Sequence, residues 1–205
     1  MSFFLGIDLG TSAVKCLLVD ENGEVKASHS VEYPLLTPHP GWAEQHPEDW
    51  WEGTVRCVRE LMAKSGAAPA SVASIGLSGQ MHGSVFLDRG WNVIRPALLW
   101  CDQRTGAQCD AINRIVGPER LGELTGNRAQ TGFTAPKILW LRDEEPEHYA
   151  RVAHVLLPKD YVRLLMTGEL AMDVADASGT LLLDVAGRRW SEEVLRLLDI
   201  PAEWL

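Results

Sequence analysis

The stretch Leu5-Gly6-Ile7-Asp8-Leu9-Gly10-Thr11-Ser12-Ala13-Val14-Lys15-Cys16-Leu17-Leu18-Val19-Asp20 sets an acid, two glycines and two hydroxyls at the junction of two apolar runs. Phe3 to Leu9 and Val14 to Val19 have strand length and are rich in Ile, Leu, Val and Phe. Gly10-Thr11-Ser12 supplies the small residues of a turn between them, and such a turn lets a phosphate group approach the backbone. Glu21-Asn22-Gly23-Glu24 then carries the Asn-Gly pair that closes two-residue hairpins, and Val25 to Tyr33 reads as a third strand. The chain is therefore predicted to open as an antiparallel meander. No Gly-x-Gly-x-x-Gly opens a helix here and no Gly-Lys-Ser/Thr follows four spacer residues, which excludes the Rossmann and P-loop forms of phosphate binding.

With 205 residues the chain can bury a substantial core, and it fits one large domain or a compact half of a longer protein. A net charge of -9 argues against nucleic acid as a partner, because a binder of phosphate backbones presents a basic face. Any anion site must be local. No apolar run approaches the roughly 18 residues of a membrane span, and Met1-Ser2-Phe3-Phe4 has no basic region ahead of an apolar segment. No membrane partner and a cytoplasmic location are the expectation. Cys16, Cys57, Cys101 and Cys109 form no Cys-x-x-Cys pair and read as reduced structural thiols.

Thr37-Pro38-His39-Pro40-Gly41-Trp42 reads as a loop, and a helix follows it. Pro47 suits the first helical position, Glu48 and Asp49 favour the positive end of the dipole, and Trp51, Val55, Val58 and Met62 recur at helical spacing before Gly66. Val72 to Leu77 reads as a buried strand running into Ser78-Gly79-Gln80-Met81-His82-Gly83. Ser84 to Leu87 and Val93 to Trp100 read as strands joined by a turn at Asp88-Arg89-Gly90-Trp91. Helices are predicted over Arg104 to Val116, Pro118 to Leu124, Pro136 to Asp143, Glu147 to Val152, Asp160 to Met166, and from a Ser191 cap through Leu198. Trp204-Leu205 is less polar than an ordinary domain end, so a longer protein is expected to begin with this polypeptide.

Asp8, inside an otherwise apolar run, would need a compensating partner once buried, and magnesium or magnesium-bound water supplies one; a carboxylate that caps a turn is the other reading. Gly10, Thr11 and Ser12 serve either a phosphate or simple hairpin chemistry, and Lys15 points to solvent by alternation. Met81 and His82 lie in a glycine-flanked loop at a strand end, where polar groups converge on small molecules, although a Met also fills gaps and a His also satisfies backbone groups. Trp100 fits a core on pattern alone, while its indole face could pack against the C–H face of a sugar. Asp102 and Arg104 could simply pair with each other, and Arg104 is read as structural.

The Asp-x-Gly-Thr-Ser turn resembles the first phosphate loop of the actin, hexokinase and Hsp70 superfamily. The likeness extends through Ser78 to Gly83, Leu99-Trp100-Cys101-Asp102-Gln103-Arg104-Thr105, Thr131 to Trp140 and Leu157-Pro158-Lys159-Asp160-Tyr161. Together these resemble the amino-terminal domain of the FGGY carbohydrate kinases. Within that family the Gln-Met-His-Gly loop is similar to that of xylulose kinases, whereas glycerol kinases carry an Arg-Glu pair there.

The resemblance implies an α/β, ribonuclease-H-like fold with a mixed sheet that begins as the meander, followed by a helix-rich second half. Residues 1–205 would form the sugar-binding domain, with a carboxy-terminal nucleotide-binding domain outside this chain. It implies ATP and Mg2+ as cofactors and transfer of the γ-phosphoryl group to O5 of D-xylulose. Asp8 matches the magnesium and phosphate-site acid, Thr11 and Ser12 with Gly10 the phosphate loop, and Met81 and His82 the ketose contacts. Trp100 matches an aromatic sugar contact, and Asp102 is carried over beside it. The family's catalytic base is an aspartate in a Gly-Asp-Asn type motif that does not occur in this sequence, so the chain alone is expected to be inactive. A kinase for ribulose, gluconate or glycerol, and a non-catalytic actin-like nucleotide module, are the competing readings; a homodimer is the assembly left open.

Overall fold

Alternation builds the first half. In β1 (Phe3–Leu9) Leu5, Ile7 and Leu9 enter the core while Phe4 and Asp8 face away, and β2 (Ala13–Asp20) buries Val14, Cys16 and Leu18. In the computed structural model, which describes residues 2–205, these strands pair antiparallel, and β3 (Val25–Glu32) extends the meander beyond β2. After the short β4 (Glu44–Gln45), α1 (Pro47–Ser65) lays Trp50, Cys57 and Leu61 against the sheet. It begins on proline with Glu48 and Asp49 in its first turn. It ends where Gly66, at φ 66°, donates its N–H to the Met62 carbonyl at 3.2 Å.

β5 (Val72–Gly79) returns parallel to β1, giving a mixed sheet of order β3-β2-β1-β5 that begins as the predicted meander. Its burial differs from expectation. Ala73, Ser74, Ile75, Gly76 and Ser78 are exposed, because β5 has β1 on one edge and no further strand on the other among the described residues.

β6 (Val85–Leu87) and β7 (Ala97–Leu98) follow, and β7 pairs with β4. Of the predicted strand Val93 to Trp100 only these two residues are regular. Pro96 has no N–H to give a ladder, and Val93 keeps a single bridge to Leu87.

The second half is helical, as expected: α2 (Gly106–Ile115), α3 (Pro118–Thr125), α4 (Thr134–Glu144), α5 (Pro146–Tyr149), α6 (Pro158–Thr167), α7 (Val174–Ser178) and α8 (Glu192–Leu198). Periodicity gave no sign of β8 (His154–Leu156), which pairs with β6, or of α7; the helix predicted to reach Val152 stops at Tyr149. The β9 (Leu183–Asp184) and β10 (Arg189–Trp190) pair precedes α8, whose Ser191 cap accepts the Val194 N–H at 3.4 Å. At the centre of this half runs α4, buried from Thr134 through Leu141 and packed among Ile112, Leu121, Leu182 and Leu195.

Candidate active site

The β1–β2 connection is a tight turn. Gly10 donates its N–H to the Ala13 carbonyl at 3.0 Å, and its own carbonyl accepts the Tyr33 hydroxyl. A Cβ at position 10 would stand 3.0 Å from the Ala13 oxygen, so any side chain there would press on the turn. Asp8 is exposed, which corrects the expectation of a buried acid: with Leu5, Ile7 and Leu9 inward, alternation turns Asp8 to the opposite face. There it lies opposite Lys15 of β2 and Ser78 of β5, in a trough of about 490 Å³ that Gly6 and Gly76 also line. Lys15 is exposed as predicted.

Among the described residues no three His, Cys, Asp or Glu side chains gather to hold a metal. One carboxylate followed by hydroxyls nevertheless suits magnesium, which keeps several waters and takes phosphate oxygens from its substrate. Asp8, with Thr11 and Ser12 on the next turn, is such a donor set.

Loop Ser78 to Gly83 is fastened beside this turn. Gln80 donates its N–H to the Leu9 carbonyl at 2.7 Å and its Nε2 to Gln45 Oε1 at 3.1 Å. Gln45 Nε2 in turn donates to the Thr11 carbonyl at 2.7 Å, while Gln45 Oε1 also accepts the Trp50 indole N–H at 3.0 Å. Gln45 therefore ties the Gly10–Ser12 turn, the Ser78–Gly83 loop and α1 together. Replacing it with leucine strands two buried donors, on Gln80 and Trp50, and should cost about 2 kcal/mol, read as a lower urea midpoint.

Met81 and Trp100 are large apolar side chains left 50% and 43% exposed. The core reading of Trp100 is thereby set aside. Its indole N–H donates to Thr11 Oγ1 at 3.0 Å, which uses the hydroxyl as an acceptor and leaves its O–H free to donate to an anion.

His82 adopts φ 60°, and its carbonyl accepts from Lys137 Nζ at 2.8 Å and Thr134 Oγ1 at 3.2 Å. Its ring meets Phe133 edge-on at 4.6 Å, and burial, then the neighbouring Lys137 charge, hold its pKa below the usual imidazole range. Lys137 is fully buried and also donates to the Gly132 carbonyl at 2.6 Å; burial pushes its pKa down to about 7. Gly132 lies so close to Trp100 that a Cβ there would come within 2.5 Å of the Trp100 carbonyl oxygen. A single buried amine thus joins the His82 loop to the Gly132 loop that packs on Trp100.

Asp102 lies behind Trp100. It is fully buried, accepting the Ala43 N–H at 2.7 Å, the Arg104 N–H at 2.9 Å and the Arg104 guanidinium at 2.8–3.0 Å. The pairing weighed for Asp102 and Arg104 is present. Arg104 is sandwiched between Trp42 at 3.6 Å and Trp140 at 4.7 Å and reaches Glu44 at 2.7 Å, and Glu44 also holds Arg95 at 2.7 Å.

Gln45 and Lys137 escape a reading of sequence. A glutamine in a two-residue strand has no pattern, and the signal at 137 is only a lysine set beside the apolar Ile138-Leu139-Trp140.

The chain is 47% identical over 200 residues to a xylulose kinase of Klebsiella pneumoniae, covering 98% of itself and 41% of that protein. With a xylulose kinase of Bacillus subtilis (strain 168) it shares 44% over 203 residues, 99% of this chain and 40% of that one. The crystal structure of a "xyloylose kinase" from Brucella ovis superposes with a TM-score of 0.95 at 39% identity, over 99% of this chain and 42% of its own. A xylulose kinase structure from Rhodospirillum rubrum gives 0.93 at 28%, over 98% of this chain and 41% of its own. The chain spans about two-fifths of the length of these relatives. Residues 3–205 match the family described as "FGGY family of carbohydrate kinases, N-terminal domain", and the chain belongs to that family.

Proposed function

We propose that this chain is the sugar-binding part of a kinase that transfers the γ-phosphoryl group of ATP to O5 of D-xylulose, yielding D-xylulose 5-phosphate. The observation that carries the reading is the Trp100 Nε1 to Thr11 Oγ1 hydrogen bond at 3.0 Å, which joins the sugar floor to the phosphate turn. Relatives named as xylulose kinases support the choice of ketose.

The roles follow from placement. Backbone and hydroxyl groups of Gly10, Thr11 and Ser12 would lie along the β- and γ-phosphates. The exposed faces of Met81 and Trp100 would take the C–H surface of the sugar, with His82 directing one of its hydroxyls. Asp102 would act from behind, holding the Trp100 loop through Ala43 and Arg104. Asp8 would hold magnesium, whose bound charge offsets that spread over the transferring oxygens. The proton acceptor for the sugar hydroxyl is assigned to the part of the relatives' length that this chain does not span. With ATP as donor, the proposed setting is the cytoplasm.

Calorimetry of the 205-residue chain against D-xylulose, D-ribulose, gluconate and glycerol tests the sugar. D-xylulose should bind tightest, and Trp100→Ala should weaken it at least about fivefold, since burying an indole face on a sugar is worth more than ~1 kcal/mol. Tighter gluconate binding would reassign the substrate; heat with ATP but with none of the sugars would favour a nucleotide switch. In a coupled assay with ATP and D-xylulose the chain alone should show no phosphoryl transfer, and turnover like that of a longer relative would overturn the division of roles.

A further inference from the structure

We infer that Gly179, just beyond α7, is the residue that positions His82 in the sugar loop, and that its missing side chain sets what the loop can hold. The inference rests on the proposed ketose role of His82. A Cβ on Gly179 would lie less than 3.0 Å from both Cε1 and Nδ1 of the imidazole, a separation that real Cβ atoms do not show. Backbone conformation does not require the glycine. Gly179 sits at φ -80°, ψ 0°, which any residue adopts, unlike Gly66, Gly126 and Gly168 at positive φ. Space for the ring is what remains to account for it.

The backbone on both sides of the contact is held, so the imidazole ring is what must move. His82 is held by Lys137 and Thr134 at its carbonyl and by Phe133 at its ring. The segment around Gly179 is pinned by Lys159, whose ammonium meets Asp173 at 2.6 Å and Asp176 at 2.7 Å, and by Asn127, which donates to the Ser178 carbonyl at 3.2 Å. Beyond it, the Thr180 carbonyl accepts the Ala135 N–H at 2.9 Å. His82 Nδ1 is buried directly against the Gly179 backbone, so Nε2 is the nitrogen left to meet a hydroxyl. A larger residue at 179 would drive the imidazole toward the sugar and change which acceptor fits.

A double-mutant cycle on the 205-residue chain, with Gly179→Ala and His82→Ala, separates this role from a general packing role. Gly179→Ala should lower the urea midpoint when His82 is present and leave it unchanged when His82 is alanine. By histidine-ring NMR, the His82 resonance in Gly179→Ala should lose its contacts to the Phe133 ring and titrate closer to the ordinary imidazole value. D-xylulose should bind at least tenfold more weakly to the same variant. An equal loss of midpoint in both backgrounds, or an unmoved His82 resonance, overturns the inference. If the cycle and the resonance behave as expected while the unaltered chain gives no heat with D-xylulose, the ketose reading of the site fails and the placing of His82 by Gly179 stands.

Discussion

Arg104→Ala should destabilise the domain by about 3–5 kcal/mol, the loss typical of removing one member of a buried ion pair. The guanidinium is 1% exposed and serves two carboxylates, Asp102 and Glu44, while two indoles cover its faces. Its removal leaves Asp102 fully buried with only backbone N–H partners, and empties the slot between Trp42 and Trp140. Lysine should not restore the loss, because a point charge cannot bond both acids and stack on both rings. Since single domains are stable by roughly 5–15 kcal/mol, the variant should unfold at a far lower urea concentration. Circular dichroism across a urea series checks this, and a loss under about 1 kcal/mol would mean that the network is dispensable.

Lys137 should make stability depend on pH in a direction opposite to that of most lysines. Its folded pKa is near 7, below the ordinary 10.5 that it regains on unfolding. Between those values the unfolded chain holds a proton that the folded chain has shed, so stability rises with pH. Below about 7 both states are charged and the burial penalty is complete. The two carbonyls at 2.6 and 2.8 Å match the two N–H groups of a neutral amine. Lys137→Met removes the titration along with those bonds. The difference in unfolding free energy between the unaltered chain and this variant should therefore grow by roughly 2 kcal/mol from pH 7 to pH 9. Urea titrations at pH 7, 8 and 9 measure it, and a difference that stays flat would show that the amine keeps its proton. Taking the difference removes the buried Cys16 and Cys109 thiols, whose raised pKa values owe nothing to Lys137 and act on both proteins alike.

The meander and α1 were legible because they are fixed by local chemistry: alternation around Leu5, Ile7 and Leu9, the Asn22-Gly23 turn, and proline and glycine at the two ends of α1. The Gly10–Ser12 turn and the Ser78–Gly83 loop were legible as turns for a similar reason, since glycines bracket polar residues at strand ends. What escaped depends on distant partners. The exposure of β5 is decided by which strands flank it, and an apolar run reads the same at an edge as at a centre. Asp8 looked buried because its neighbours in sequence are apolar, yet its neighbours in space are Lys15 and Ser78. Trp100 is on the surface although its composition suits a core, and only the structure shows that its indole nitrogen reaches back to Thr11.

That indole contact also orders the domain in time. Thr11 and Trp100 are 89 residues apart, so a ribosome adding roughly 5–20 residues per second delivers the turn about 4–18 s before the tryptophan. Gln45, only 34 residues after Thr11, arrives first and can clasp the turn while the rest is unmade. A nascent chain would accordingly hold the Gly10–Ser12 turn clasped well before Trp100 exists to meet it. Pauses in translation placed before residue 45 should then matter more for correct folding than pauses placed after it.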